Sequence, residues 1–210
     1  WEQTGEVAVT SSDPAQGAKD APVTIVVFSN LGDPDAKKLY PKLQALRSKY
    51  GDKLRLVWKD GWVTKDAARA LPSAIAARTV FLEKGADAFF KLVSHGYVES
   101  EPDAAPLEAW AVKELGVDAK AFETRRADAT KQVELCTSQA GKLRIDGIPG
   151  VYVNGIKLPY TVDAPELVTT IDAELAAVNT ETKQGLAASG VYEARVAKNF
   201  KVPESKPVAA

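Results

Sequence analysis

Pro22-Val-Thr-Ile-Val-Val-Phe28 is an unbroken run of β-branched and aromatic residues, and together with the segment after it this run narrows the folds open to the chain. So apolar a run suits a central strand covered on both faces, not one that alternates between core and water. Ser29-Asn-Leu-Gly32 interrupts it, and from Asp33 the apolar residues recur at helical spacing: Leu39, Leu43, Leu46 and Tyr50. Gly51 ends that helix, and Lys53 to Lys59 reads as a second strand. Strand, helix, strand at this length implies a right-handed crossover and a parallel pair. The class is therefore α/β. With 210 residues, 45% hydrophobic and 26% charged, the chain can bury one sizeable core and carry an inserted subdomain without staples.

The remainder divides by pattern. Residues 1–20, with the patch Val7-Ala-Val9, read as an edge strand and lead-in, and 21–63 hold the strand, helix, strand unit. Residues 64–143 are mainly helical, rich in Ala and punctuated by Gly85, Gly96 and Pro102. Residues 144–180 begin with Gly147-Ile-Pro-Gly-Val-Tyr-Val-Asn-Gly155, in which Asn154-Gly155 suits the positive φ angles of a type I′ hairpin turn. A last helix carries Leu167, Ile171, Leu175 and Val178. Residues 181–210 are more polar and read as a tail or linker, with one short helix around Val191, Tyr192 and Val196.

Composition removes several functions. Twenty-seven Lys and Arg against twenty-eight Asp and Glu give a net charge of -1, with no basic excess to hold nucleic acid. No run approaches the roughly 18 apolar residues of a membrane span. One cysteine, Cys136, and one histidine, His95, exclude an internal disulfide, a cysteine-only zinc site and a two-thiol redox centre within the chain, so no metal and no cofactor is expected. The absence of Met, even at position 1, reads as a processed segment or one domain of a longer protein.

Three segments in order carry a family resemblance: Asp13 to Asn30 (DPAQGAKDAPVTIVVFSN), Tyr50 to Asp60 (YGDKLRLVWKD) and Gly147 to Gly155 (GIPGVYVNG). They resemble the opening strand, the second central strand and the proline loop with its hairpin in DsbA-like thiol oxidoreductases, over about residues 5 to 178. The resemblance implies a thioredoxin fold with an inserted helical domain. In that family the first strand leads into Cys-Pro-x-Cys at a helix start, where the unpaired N–H groups and the helix dipole stabilise a thiolate. The matching tetrad here is Asp33-Pro34-Asp35-Ala36. Neither Asp nor Ala attacks a disulfide or holds a mixed disulfide.

Asp33 at N-cap followed by Pro34 is a strong helix start in its own right, with Asp35 adding charge to the first turn. Helix capping is the main reading of these carboxylates, beside catalysis or metal binding and contact with a partner. The family resemblance further implies a cis Ile148-Pro149 bond beside Asp33 to Ala36 and a groove for an extended peptide. Ile148, Pro149, Gly150 and Trp62 are its candidate lining, with fold geometry and core packing as the plainer uses of Pro149 and Trp62. Cys136 falls on an apolar stripe with Val133, Ala140 and Leu143, which predicts a buried, inert thiol. His95, beside Gly96 in an expected loop, reads as a surface residue.

The leading functional reading is a redox-inactive member of this family, a pseudoenzyme acting as a peptide- or protein-binding or scaffold module. Its relatives place it in the periplasm or another extracytoplasmic space. One alternative is other chemistry on the same scaffold, as in kappa-class glutathione transferases and related isomerases, although Asp33 would repel a thiolate. The other is thiol chemistry through Cys136 with an external partner.

Overall fold

The computed structural model describes residues 7–61, 67–99, 103–145, 147–159 and 161–201. Five strands, β1 (Ala15–Gln16), β2 (Val23–Ser29), β3 (Leu54–Asp60), β4 (Gly150–Val153) and β5 (Ile156–Leu158), form one sheet in the order β1-β3-β2-β4-β5. The seven residues of β2 are all buried, which accounts for its unbroken apolar run. Val23, Ile25 and Val27 face one layer with Leu54, Leu56 and Trp58, while Val26 and Phe28 face the other with Val57 and Tyr152. This is the period of two expected of a strand packed on both sides.

Helix α1 (Pro34–Tyr50) carries the chain from β2 to β3, and the two strands pair in parallel from Val23 opposite Leu54 to Ser29 opposite Asp60. Strands β2 and β4 are antiparallel, as are β4 and β5. The turn between β4 and β5 has φ 45° at Asn154 and 87° at Gly155, the positive pair that a type I′ turn requires. The edge strand differs from expectation: Val7-Ala-Val9 forms no strand, and the two-residue β1 at Ala15–Gln16 pairs with β3 instead. Val7 is nevertheless buried, in the layer that holds Val26 and Phe28.

Between β3 and β4 lies the helical insertion: α2 (Ala67–Glu99), α3 (Ala104–Leu115), α4 (Ala121–Thr124) and α5 (Arg126–Lys142). Gly85 breaks the helical backbone of α2 at φ 79°. Gly96, a breaker by its sequence, instead continues the helix, and its bareness allows close packing. A Cβ there would sit 3.2 Å from Leu107 and 3.4 Å from Leu31. His95 is accordingly helical rather than in a loop.

Arg78 of α2, wholly buried, ties the insertion to the sheet. Its Nε donates to Asp60 at 2.6 Å, its Nη1 to the Ser12 carbonyl at 2.7 Å and its Nη2 to Cys136 Sγ at 3.2 Å. Asp60 also accepts from the Trp58 indole at 3.0 Å, and the neighbouring buried pair Lys59–Asp13 closes at 2.8 Å.

The chain beyond Thr180 is not a loose tail: after a mostly exposed turn at 184–187 it forms a further helix that packs back on the fold as far as Asn199. Helix α6 runs Ala164–Lys183, and α7 (Val191–Asn199) buries Val191 and Val196. Arg195 fastens α7 to α6 through Glu174 at 2.7 and 2.9 Å and Glu181 at 2.7 Å. Asn199 donates to the Asn154 carbonyl at 3.0 Å, and Tyr192 to the Val7 carbonyl at 2.6 Å. Charge pairs rather than a long apolar stripe hold this helix. No described helix is long and apolar enough to cross a membrane.

Candidate functional site

The antiparallel register sets Gly150, the first residue of β4, opposite Phe28 near the end of β2. The loop before β4 is thereby brought to the point where β2 hands over to α1. Asp33 caps α1 with extended backbone at φ -88°, ψ 123°, and Pro34 opens the first turn. One Asp33 carboxylate oxygen accepts from the Asp35 N–H at 2.9 Å and the Ala36 N–H at 2.7 Å. Those are the donors that would otherwise be free to stabilise a thiolate at this helix start. Asp35 is exposed and pairs with Lys38 at 2.9 Å, whereas Ala36 is buried.

The Ile148-Pro149 peptide is cis. Pro149 and Ala36 line one small cavity of about 10 Å³ with Ser29, Tyr40, Trp58 and Tyr97. Two hydroxyls form its polar wall: Ser29 Oγ and Tyr97 OH lie 3.0 Å apart, and Tyr97 OH donates to the Asn30 carbonyl at 3.0 Å. Burial pushes the Tyr97 phenol well above its ordinary range, so it stays a neutral donor. Tyr40 is raised by burial in the same way, against a lowering by its contact with Ser94.

The other candidates are placed differently. Ile148 packs with Val26, Phe28 and Tyr152 in the layer across the sheet. Gly150 is buried against Ile145, and a Cβ there would lie 3.0 Å from the Ile145 side chain. Trp62 lies outside the described residues. Tyr97 and Ser29 carry no signal in the sequence because no spacing links them, and only folding α2 back over the end of β2 joins the two.

Cys136 does not line the cavity beside Pro149. It is 3% exposed, faces Arg78, and has its thiol pushed up to about 11, by burial first and against the lowering influence of Arg78. A raised value means that the folded chain favours the protonated thiol. That contribution to stability is complete below about pH 9 and is lost as pH rises toward 11. At neutral pH a maleimide or aromatic disulfide reagent is expected to leave the native protein unlabelled and to modify one thiol on unfolding. Rapid stoichiometric labelling of the native protein would contradict this. Among the described residues no cluster of three or more His, Cys, Asp or Glu side chains is placed to hold a metal ion.

Neither Asp33 nor Ala36 at the head of α1 carries a thiol, while the proline loop, helix start and sheet around it are in place. Known proteins share that architecture. A family model described as Thioredoxin matches residues 9–173. Curated protein sequences give no match. Among solved structures, the catalytic domain of Proteus mirabilis ScsC aligns with a TM-score of 0.67 at 24% identity, over 80% of this chain and 91% of that one. Oxidised BdbD from Bacillus subtilis gives 0.67 at 25% identity, over 79% and 94%. A periplasmic thioredoxin-like protein from Salmonella enterica serovar Typhimurium gives 0.65 at 19% identity, over 79% and 91%. With a family match that spans most of the sequence and a sheet carrying the expected crossover, hairpin and inserted helices, the chain belongs to the thioredoxin family, as a DsbA-like member without the Cys-x-x-Cys motif.

Proposed function

We propose that this chain is a redox-inactive member of its family that holds an extended segment of a partner protein, without a covalent bond, across Pro149 and the head of α1. The observation that carries the reading is the shared cavity: Ala36 and Pro149 both line it, where a thiol and its substrate strand would meet in an active relative. An extended segment would gain affinity there from main-chain pairing beside Pro149. Asp33, already bonded to two backbone N–H groups, would hold the helix start in shape. The periplasmic structural neighbour supports an extracytoplasmic setting. Glutathione-type chemistry is the weaker reading, because a carboxylate at the motif position repels a thiolate.

A photoreactive residue at position 38, on the exposed face of α1, tests the proposal in the source cell. Discrete adducts that survive thiol reductants are expected, and they should fade when exposed Asp35 is changed to Lys. Adducts no stronger than those from a probe at Val112 on α3 would sink it.

A further inference from the structure

A second cleft lies away from Pro149 and shares with the cavity there none of its lining residues. It measures about 650 Å³, within the range of small-molecule sites, and runs between α2 and α3 beside Gln16. Its aromatic wall is His95 stacked on Trp110, with ring centroids 4.2 Å apart and planes 9° from parallel. Phe90 forms part of the floor, and Val98, 74% exposed, stands at the mouth. Asp87 and Lys91 also line it, one helical turn apart.

These two charges are the informative ones. Residues four apart on a helix are close enough to pair. Yet among the described residues neither Asp87 nor Lys91 makes an ion pair or a side-chain hydrogen bond, whereas Glu114 across the cleft is taken up by Lys113 at 2.9 Å. One cation and one anion thus stand open on the turns next to an aromatic wall. From Asp87 to His95 the helix rises about 12 Å, and the spacing of four between 87, 91 and 95 sets both charges and the aromatic wall along one face of α2.

We propose that the cleft binds a small zwitterionic aromatic molecule of the aromatic amino acid class. Its ring extends the His95–Trp110 stack, its ammonium meets Asp87 and its carboxylate meets Lys91. Offset stacking supplies most of the affinity, because both ion pairs are exposed to water. The cleft also touches the motif end of the molecule: Ser94, on its wall, lies 3.1 Å from the Tyr40 hydroxyl, and Tyr40 lines the cavity beside Pro149.

Titration of the full chain with L-tryptophan, followed by amide chemical shifts, tests this. Saturable shifts confined to 87–98 and 110–115 are expected, with indole binding more weakly and L-alanine not at all. Asp87→Asn and Lys91→Gln, both at exposed positions, should each weaken L-tryptophan by about two- to fivefold and leave indole unchanged. Trp110→Ala should weaken both by about tenfold, and Trp110→Phe, which keeps a ring, should recover most of the loss if the alanine variant folds poorly. No saturable shift up to about 10 mM, a Kd well into the range of nonspecific contact, would overturn the proposal. So would shifts that map to Pro149, or equal binding of L-tryptophan and a peptide in which the tryptophan has blocked ends.

Discussion

Replacing Arg78 by Met should cost the fold about 3–5 kcal/mol, seen as a drop in the urea midpoint and a fall in Tm of about 6 to 20 °C. The side chain is fully buried and its three donor directions each serve a different part of the chain: Asp60 at the end of β3, the Ser12 carbonyl and Cys136 on α5. Methionine fills much of the volume and supplies none of these bonds. Asp60 keeps the Trp58 indole, 3.0 Å away, but loses the charge that compensates its burial. An uncompensated buried carboxylate is what makes breaking such a pair costly, whereas exchanging both partners for apolar residues is often nearly neutral. The double variant Arg78→Met with Asp60→Leu should therefore recover a substantial part of the loss. A single variant within about 0.5 kcal/mol of the parent would show that α2 is held by its apolar contacts alone.

The second large effect is a gain. Asp33→Cys with Ala36→Cys should give a chain that reduces insulin in the presence of dithiothreitol at least tenfold faster than the parent. The two positions sit at the N-cap and first turn of α1, where one Asp33 oxygen already accepts from the N–H groups of residues 35 and 36 at 2.9 and 2.7 Å. A thiolate at position 33 would inherit those donors and the positive end of the helix dipole, which lower a thiol's pKa and improve its leaving ability. Residue 36 is buried beside Pro149, so a thiol introduced there would be the sheltered partner of the pair. Asp33→Cys alone should form mixed disulfides without turnover, because no second thiol releases them. If the double variant forms its disulfide and still shows no exchange, the surroundings as well as the motif have diverged.

The parts of the fold legible in sequence are those whose signal is local. The run from Pro22 to Phe28, the spacing of Leu39, Leu43 and Leu46, and Asn154-Gly155 each encode an element within a few residues, and each element forms there. What the sequence hides depends on distant partners. Helix α7 is anchored by Arg195 to Glu174, 21 residues earlier, and its polar composition resembles a linker until that partner is seen. Val7 is buried without belonging to a strand because Tyr192 reaches it from the far end of the chain. Gly96 resembles a helix break, yet it serves the contact with Leu107 and Leu31, and His95 beside it gains Trp110 as a stacking partner. At the motif, the tetrad and Pro149 are legible through the family resemblance of the three ordered segments. The hydroxyl wall of Ser29 and Tyr97 is not, since 68 residues separate them.

The proposed loss of thiol exchange at the motif position predicts silence in disulfide exchange, so the native chain's own turnover is the decisive quantity. Purified protein should reduce insulin and reoxidise a reduced substrate peptide at the rate of buffer alone, over a pH range in which Asp33→Cys/Ala36→Cys is active. Turnover by the native chain at a rate comparable to that double variant would contradict the assignment of Asp33 and Ala36 to the motif positions and, with it, the loss of thiol chemistry.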